Sequence, residues 1–348
     1  MEMFMTDGPI RCGVIGTGRM GRHHVRNYSE IPGVELVGVV DSDPERARDM
    51  VEQFGGTAMS SVEELIQAGV EAVSVATPTI HHLESVEPLL RNNVACLVEK
   101  PLAPDASEAE HIASIAAETG TLLQVGHIVR YDPVMRAIRG IEGMRPRFIE
   151  VHRISPMTFR SVDVGVVLDM MIHDLDALLM LMGSEPEEVH ANAVCVVGEA
   201  EDVCNARLVF PPREDDDVRC VCNVTASRLA LKTERKFRII SEDMYVSADF
   251  VECSGTVVRK TANAEKLEEV RSQLRDGMDL SSVDYLDLIN IDPLEVSPGE
   301  PLRLQIDDFL DCLRHGRKPL VDADAGFAAV RTAERIVEAA REAGARMV

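Results

Sequence analysis

The sequence predicts an α/β protein in which a doubly wound parallel sheet is followed by a second domain of consecutive, mostly antiparallel strands. From residue 10 to about residue 125, short apolar segments alternate with longer helical ones, as is typical of parallel strands joined by helices on both faces of a sheet. After about residue 145, strand-like segments follow one another with only turn-like residues between them. With 348 residues, 45% of them hydrophobic, the chain is long enough for two such domains.

In the first half, five apolar segments are predicted strands and the stretches between them are predicted helices. The strands lie in IRCGVIG, VELVGVV, AVSVATP, ACLVEKP and LLQVGHI. Three of the helices have clear starting signals, which are Pro44 with Glu45, Ser61 with Glu64, and Asp105 with Glu108.

In the second half, seven segments are predicted strands and two long segments are predicted closing helices. The strands lie in RFIEVHRISP, EVHANAVCVV, VCNARLVF, VRCVCNVTA, RKFRIIS, MYVSADF and GTVVRK, and the helices in LRLQIDDFLDCLRHG and DAGFAAVRTAERIVEAAREAG. Residues 260–300 fit neither pattern clearly. The acidic run at 213–217 is interpreted as a solvated turn, because consecutive carboxylates repel one another, and no metal site is predicted.

The charge of the chain argues against nucleic acid and anionic membranes as partners. Lys and Arg total 36 against 59 Asp and Glu, which gives a formal net charge of -23. The sequence has neither a long apolar run nor a basic, apolar amino terminus, so we expect a cytoplasmic protein. Its eight cysteines are scattered, and Cys220 and Cys222 have the spacing of one strand face, so reduced structural thiols are expected.

A glycine-rich turn after the first strand predicts a dinucleotide site. The segment GTGRMG places Gly16, Gly18 and Gly21 between a strand and a helix. Gly16 permits the tight turn, Gly18 lets the backbone approach a pyrophosphate, and Gly21 allows close packing of the helix. Arg19 and Met20 lie in the same turn and are candidate cofactor contacts. The alternative is an ordinary glycine turn before a capped helix.

Asp41 supports the dinucleotide interpretation and favours NAD over NADP. It lies at the end of VELVGVV, 20 residues after Gly21. A carboxylate at this place accepts hydrogen bonds from the adenosine ribose hydroxyls and disfavours a 2′-phosphate. Ser42 and Arg46 beside it leave NADP open.

The segment DMMIHDLD at 169–176 combines a helical pattern with several titratable residues. An advance of about 100° per residue places an apolar stripe on one side, which consists of Met171, Leu175, Leu178, Leu179 and Met182. Asp169, His173 and Asp176 lie together on the opposite side, and Asp174 lies off that face. Two interpretations are open: a helix that lines a cleft, or a helix with a solvated polar back.

Together with GTGRMG and the Asp-x-x-x-His pattern, ATPTIHH at 76–82 and VEKPLA at 98–103 resemble the glucose-fructose oxidoreductase, inositol dehydrogenase and MocA family (GFO/IDH/MocA). The resemblance implies an NAD-binding Rossmann domain at 8–125 and a substrate-binding α/β domain at 126–318. The second domain would have a large, mostly antiparallel sheet through which a homodimer or homotetramer forms. A closing helix at 319–348 would pack back on the first domain.

The same resemblance implies roles for individual residues. Lys100 would contact the nicotinamide ribose and the substrate, Asp169 would orient them, and His173 would exchange the proton of the reacting hydroxyl. The remaining cofactor contacts would include Thr77, Pro78, His82 and Glu99. Hydride leaves carbon only as the hydroxyl proton leaves oxygen, so a base with a near-neutral pKa contributes about 10² to 10⁴ in rate. Lys100 could itself be that base.

Two segments beside the predicted cleft suggest an anionic substrate. Their candidate substrate-binding residues are His127, Arg130, Tyr131, Arg153 and Arg160. Guanidinium groups pair bidentately with phosphate or carboxylate, although each arginine could instead pair with a surface acid. The segments resemble the family's nucleotide-sugar branch, which oxidises C3 of UDP-N-acetylglucosamine before a transamination. Many of those relatives have two glycines before the catalytic helix, whereas this chain has only Gly165.

Other functions remain open within the resemblance. A free-polyol or inositol dehydrogenase would need fewer phosphate-binding arginines. A glycosidase that uses bound NAD transiently would give no net reduction of the cofactor. A non-catalytic NAD- or sugar-sensing regulator would bind its ligand without turnover.

Overall fold

The computed structural model describes residues 8–158, 164–213, 217–260, 264–275 and 288–346. Two compact units divide these residues. The first unit consists of the described residues up to Asp132, together with Val167–Glu185 and Gly299–Glu338, and the second consists of the others. The division predicted from the sequence is contiguous, with boundaries after residues 125 and 318, and as a division into domains it stays a prediction.

The described chain contains ten α-helices and fourteen strands. The helices are α1 (Gly21–Glu30), α2 (Pro44–Phe54), α3 (Val62–Gln67), α4 (His82–Arg91), α5 (Ala106–Thr119), α6 (Pro133–Arg139), α7 (Ile172–Met182), α8 (Ala264–Arg275), α9 (Pro301–His315) and α10 (Ala323–Glu342). The strands are β1 (Ile10–Ile15), β2 (Val34–Val40), β3 (Thr57–Met59), β4 (Ala72–Val75), β5 (Ala95–Val98), β6 (Leu123–Val125), β7 (Phe148–Ile154), β8 (Glu188–Val194), β9 (Val203–Phe210), β10 (Cys220–Ser227), β11 (Glu234–Ile240), β12 (Met244–Asp249), β13 (Ser254–Lys260) and β14 (Ile289–Pro293).

The first sheet has six parallel strands in the order β3-β2-β1-β4-β5-β6. This confirms the predicted parallel sheet. The order reverses between β1 and β4, and in such sheets ligands bind outside the carboxyl ends of the strands at that point. The edge strand β3 was not predicted, because its three residues, Thr-Ala-Met, form no apolar run.

Three helices of this unit, α2, α3 and α5, begin at the predicted sequence signals. Asp43 caps α2 by accepting from the backbone N–H of Glu45. The hydroxyl of Ser61 accepts from the backbone N–H of Glu64 at the start of α3, and Asp105 caps α5 in the same way. Each cap satisfies a backbone donor that the first helical turn leaves without a partner.

Helices from the end of the chain complete the core of the first unit. The α9 residues in the buried cluster that also contains β1 and α1 are Leu302, Ile306, Phe309 and Leu310. α10 approaches β6 so closely that a Cβ on Gly326 would lie 2.6 Å from a methyl carbon of Val125. The carboxylate of Glu334 accepts from the backbone N–H of Ala106 at the start of α5.

The second sheet has eight strands in the order β14-β13-β12-β11-β7-β10-β9-β8. All neighbours are antiparallel except β7 and β10, so the predicted mostly antiparallel sheet is confirmed. All seven predicted segments are strands, and β14 and α8 come from the stretch at 260–300 that was ambiguous. Buried and half-buried residues alternate along β7, so one face of this strand is covered by the core. Of the acidic run at 213–217, residues 214–216 lie outside the described residues.

No helix among the described residues is long and apolar enough to cross a membrane.

Candidate active site

Two of the three glycines after β1 are required by close packing, and the third faces open space. Gly16 has φ +84°, and a Cβ there would lie 2.7 Å from the carbonyl oxygen of Ala76. A Cβ on Gly21 would overlap the carbonyl oxygen of Gly16, so α1 can begin this close to the strand only with glycine. At Gly18 a Cβ would meet nothing within 4 Å. The open space lies at Gly18, where the sequence predicted the approach of a pyrophosphate.

The amino end of α1 is suited to an anion. Met20 precedes the helix without making a side-chain cap, and the first turn contains no acidic residue. The partial positive charge at this end of the helix is therefore not compensated by a carboxylate of its own first turn. Arg19, in the turn before the helix, is exposed. The Gly-rich turn and helix thus fit the pyrophosphate of a dinucleotide.

Asp41 is held as an anion at the end of β2. Its Oδ2 accepts from the backbone N–H and the hydroxyl of Thr17, both at 2.6 Å, and its Oδ1 accepts from the N–H of Asp43 at 2.9 Å. Burial alone would raise the pKa of Asp41, but the hydrogen bonds from Thr17 and Asp43 outweigh it and the pKa lies below its ordinary value. A carboxylate oxygen can accept more than one hydrogen bond, so acceptor capacity remains for ribose hydroxyls. The role of Thr17 was not predicted.

His82 is within hydrogen-bond distance of the turn after β4. This imidazole is buried, with Nδ1 3.1 Å from the carbonyl oxygen of Leu102 and Nε2 3.1 Å from that of Thr77. Burial lowers the pKa of His82 against the opposing effect of the two carbonyl groups. His82 therefore links the ends of β4 and β5, and its predicted contact with a cofactor stays a prediction. The buried hydroxyl of Thr77 has no partner among the described residues, and Pro78 beside it is exposed.

Lys100 and Asp169 lie together, as the sequence predicted, although 69 residues separate them. The Nζ of Lys100 donates to the backbone carbonyl oxygen of Asp169 at 2.7 Å and lies 3.5 Å from its Oδ1. The Lys100–Pro101 peptide, directly after β5, is cis. His173 follows Asp169 on the same helical segment and is half-buried. An ammonium and a carboxylate therefore meet at the carboxyl edge of the dinucleotide sheet, and an imidazole follows four residues further along the helical segment.

The helix that contains Asp169 and His173 differs from the prediction in one respect. It begins as a π-helical turn over Val167–Met171 and continues as α7, so the regular advance per residue applies only from Ile172 onward. The predicted apolar stripe is buried, which confirms that part of the pattern. Asp174 and Asp176 are also buried, at 1% and 0% exposure. Of the predicted polar face, Asp176 is buried, His173 is half-buried and the side chain of Asp169 is 38% exposed, so this face is solvated only in part.

Asp176 is buried because it pairs with Arg130. The Nε and Nη2 atoms of the guanidinium donate to the two carboxylate oxygens at 2.8 and 2.6 Å, and Nη1 donates to the carbonyl oxygen of Leu320 at 2.8 Å. The next residue, Tyr131, donates to Asp308 at 2.7 Å. The expectation that Arg130 and Tyr131 bind substrate is corrected here, because both side chains are buried and bonded inside the protein. Arg130 instead fixes α7.

His127, Arg153 and Arg160 complete the predicted substrate residues. His127 is fully buried, and neither ring nitrogen has a hydrogen-bond partner among the described residues. Burial lowers the pKa of His127, whose neighbours include Asp176 and Arg130. Its predicted contact with substrate stays a prediction. Arg153 is 7% exposed on β7, which places it in the second unit, and Arg160 lies outside the described residues.

Sequence reasoning missed His24, three residues after the last glycine of the turn. Its Nε2 lies 2.9 Å from Oε1 of Glu99, and the histidine is 1% exposed. The side chain of Glu99, which was predicted to contact the cofactor, is therefore directed toward α1. A histidine on the apolar side of a helix gives a weak sequence signal, because its partner lies 75 residues away.

Comparison with known proteins decides the family. The model of an oxidoreductase family with an NAD-binding Rossmann fold matches residues 10–127, and that of the GFO/IDH/MocA C-terminal domain matches residues 144–246. The chain belongs to the GFO/IDH/MocA family. Within this family it is an oxidoreductase, and its first unit has the Rossmann topology of nicotinamide-dependent members.

Relatives with different substrates resemble this GFO/IDH/MocA protein over different lengths. The UDP-N-acetylglucosamine 3-dehydrogenase of Acidithiobacillus ferrooxidans is 32% identical over 317 residues, which cover 91% of this chain and 93% of that enzyme. A solved structure of that dehydrogenase has a TM-score of 0.83 at 31% identity and covers 96% of this chain and 98% of its own. An inositol 2-dehydrogenase of Rubrobacter xylanophilus is 35% identical over 193 residues, which cover 53% of this chain and 56% of that enzyme.

Proposed function

We propose that this protein is an NAD-dependent dehydrogenase that oxidises a secondary hydroxyl of a sugar, at C3 of a UDP-N-acetylhexosamine. The observation that carries the proposal is the contact of Lys100 with Asp169 at the carboxyl edge of the Rossmann sheet, with His173 four residues further along the same helical segment. Hydride transfer from a secondary alcohol needs a base for the hydroxyl proton and a donor for the developing alkoxide. An imidazole and an ammonium supply these two functions.

NAD, when bound, accepts the hydride from the substrate carbon. The residues that would hold it are the Gly16–Gly21 turn and Asp41, with Thr77 and Lys100 toward the nicotinamide. Asp41 supports NAD over NADP, because its hydrogen bonds from Thr17 and Asp43 keep the carboxylate ionised. The guanidinium of Arg46 lies 3.4 Å from the carboxylate of Asp43, so this arginine already has an acidic partner. Both observations disfavour a 2′-phosphate beside Asp41.

His173 is proposed as the base, and the ammonium of Lys100 is proposed to donate a hydrogen bond to the developing alkoxide oxygen without transferring its proton. Nζ of Lys100 donates to the carbonyl oxygen of Asp169, which is a contact that an ammonium makes and that orients the group. The imidazole of His173 follows on the next turn of the same helix. A base near neutral pKa then removes the hydroxyl proton while the ammonium stabilises the negative oxygen.

The substrate assignment is supported by the length of the resemblance. The relative that covers 93% of its own length here is named for UDP-N-acetylglucosamine, whereas the inositol relative is covered over 56%. One structural observation favours the free polyol as the second candidate. Arg130 is bonded to Asp176 and is not free to bind phosphate, which removes one of the arginines that pointed to an anionic substrate.

The family resemblance also supports proposals about the oligomeric state and about the enzyme that uses the product. We propose a homodimer or homotetramer formed through the eight-stranded sheet of the second unit. A 3-oxo sugar is a substrate for transamination, so an aminotransferase is the proposed next enzyme. Sedimentation analysis of the purified protein tests the first statement, and conversion of the product by an aminotransferase with glutamate tests the second.

The first experiment combines the purified protein and NAD with each of four compounds, and follows nicotinamide reduction and the mass of the products. The compounds are UDP-N-acetylglucosamine, its uronic acid, free inositol and glucose. Reduction with a UDP-sugar alone, and a product lighter by two hydrogens, supports the leading proposal. Reduction with inositol alone moves the protein to the second candidate. Binding without turnover of any compound would overturn both and favour a sensing regulator.

A further inference from the structure

Glu99 lies where three segments of the first unit meet behind Lys100. Its Oε1 is 2.9 Å from Nε2 of His24 on α1, and its Oε2 accepts from the backbone N–H of Lys100 at 3.3 Å. The side chain of His24 is 1% exposed and that of Glu99 is 14% exposed. A single carboxylate therefore connects the dinucleotide helix with the backbone of the lysine in the proposed reaction.

The third segment, at the end of β6, confines this carboxylate. A Cβ on Gly126 would lie 2.9 Å from both Cα and Oε2 of Glu99 and 3.1 Å from the backbone nitrogen of Lys100. Real Cβ atoms are almost never this close to backbone atoms, so β6 packs against Glu99 at a distance that only glycine permits. Glu99 has no free space on that side into which it could turn.

The charges around Glu99 fit a permanent anion. Burial would raise the pKa of Glu99, but the hydrogen bond and charge of His24 and the charge of Lys100 outweigh it, so the pKa lies below its ordinary value. Lys100 therefore has carboxylates on two sides, Glu99 behind it and Asp169 at its Nζ. Two further titratable neighbours of Glu99, His82 and His127, are buried, and burial lowers the pKa of each.

We infer that His24 and Glu99 form a positioning pair that holds Lys100 in a fixed place relative to α1. The pair itself touches neither substrate nor the reacting atoms. The inference rests on the proposed function in so far as Lys100 takes part in the reaction. It replaces the expectation that the side chain of Glu99 binds the cofactor.

Kinetic constants of Glu99→Gln, His24→Phe and the double variant test the pair. With either single variant we expect kcat to fall about 10- to 100-fold, since a small displacement of a reacting group has effects of this size, while the Kd of NAD from calorimetry changes less than about threefold. Two residues that act as a unit are non-additive, so the double variant should be no more than about twofold slower than the slower single variant. His24→Gln retains an N–H donor and should recover most of the activity.

Two exposed ion pairs, one with a glutamate and one with a histidine, provide matched controls for the two substitutions. Glu87→Gln removes the carboxylate that accepts from Arg91 on α4, and His315→Phe removes an exposed histidine that lies 2.9 Å from Asp311. Both controls should retain the wild-type constants, and circular dichroism should show that all variants are folded. Additive losses in the double variant, or an NAD affinity that falls as much as kcat, would overturn the inference.

A measurement without substrate separates this inference from the proposed function. Acetic anhydride labels only the uncharged amine, so peptide mass spectrometry over a pH series gives the midpoint for labelling of Lys100. Loss of the neighbouring anion in Glu99→Gln should lower this midpoint by about one pH unit, whereas Glu87→Gln should not change it. If the wild-type protein reduces NAD with none of the four compounds but the midpoint shifts, the proposed function fails and the pair stands. An unchanged midpoint together with wild-type kcat would refute the pair alone.

Discussion

The buried pair of Arg130 and Asp176 offers a quantitative test of what stabilises α7, the helix that contains His173. The two side chains are 8% and 0% exposed, and two hydrogen bonds of 2.8 and 2.6 Å join them. Removal of one partner leaves an uncompensated buried charge, which typically costs about 3 to 5 kcal/mol. For Arg130→Met the loss also frees the carbonyl oxygen of Leu320, which adds about 1 kcal/mol or more. We therefore expect Asp176→Leu to lose about 3 to 5 kcal/mol and Arg130→Met somewhat more.

The double variant Arg130→Met/Asp176→Leu should be more stable than either single variant. Replacement of a buried ion pair by apolar residues of similar size is often close to neutral, so a loss below about 2 kcal/mol is expected. Urea unfolding of the four proteins, followed by circular dichroism, gives the coupling free energy. Arg303→Met and Asp307→Leu change an i,i+4 pair on α9 whose side chains are 35% and 45% exposed, and they form the control cycle with an expected coupling below about 0.5 kcal/mol. Single variants that each lose less than about 1 kcal/mol, and whose effects add, would refute the reasoning.

Three further predictions concern the reaction, the cofactor and acid stability. His173→Asn should lower kcat by about 10² to 10⁴ while NAD binding measured by calorimetry stays within about threefold; an undiminished kcat would remove His173 as the base. Asp41→Ser should weaken NAD by about tenfold or more and improve the ratio of NADP to NAD affinity, whereas an unchanged ratio would show that Asp41 does not face the ribose. Asp202, which accepts from Val196, Val197 and Arg228, has a folded pKa lowered to about 2 by these bonds although burial opposes the shift. Its stabilisation is therefore fully present above pH about 4 and is lost as the pH falls toward 2. Asp202→Asn should unfold at lower urea than the wild type at pH 7, and the difference should shrink between pH 4 and 2; a gap that stays constant over this range would contradict the assignment.

The features that sequence predicted depend on residues close together in the chain. The Gly16–Gly21 turn, the helix starts at Pro44, Ser61 and Asp105, and the apolar strands each satisfy a rule that acts over a few residues. The joint position of Lys100 and Asp169 is the exception, and the family resemblance predicted it. Its physical basis is the carboxyl edge of a parallel sheet, where the ends of distant strands meet.

The features that sequence did not predict depend on packing between distant segments. Arg130 was expected to bind an anion because it lies, with other arginines, in segments beside the predicted cleft of an acidic protein. The structure gives it a carboxylate 46 residues away, which no local pattern shows. The pair of His24 and Glu99 spans 75 residues in the same way. The π-helical turn at Val167–Met171 also changes the face on which a regular helical advance places Asp169.

One helix therefore serves both the reaction and its own anchoring. Toward its beginning, the side chain of Asp169 is 38% exposed and His173 is half-buried, and one turn further Asp176 is buried against Arg130. All these groups and Lys100 belong to the first unit. A relative that resembles the chain over about half of its length can have these groups in common with it and still act on another substrate. A relative that resembles 91% of the chain also has in common with it residues outside these groups. This is why the length of the resemblance, more than its percentage identity, supports the UDP-sugar over inositol.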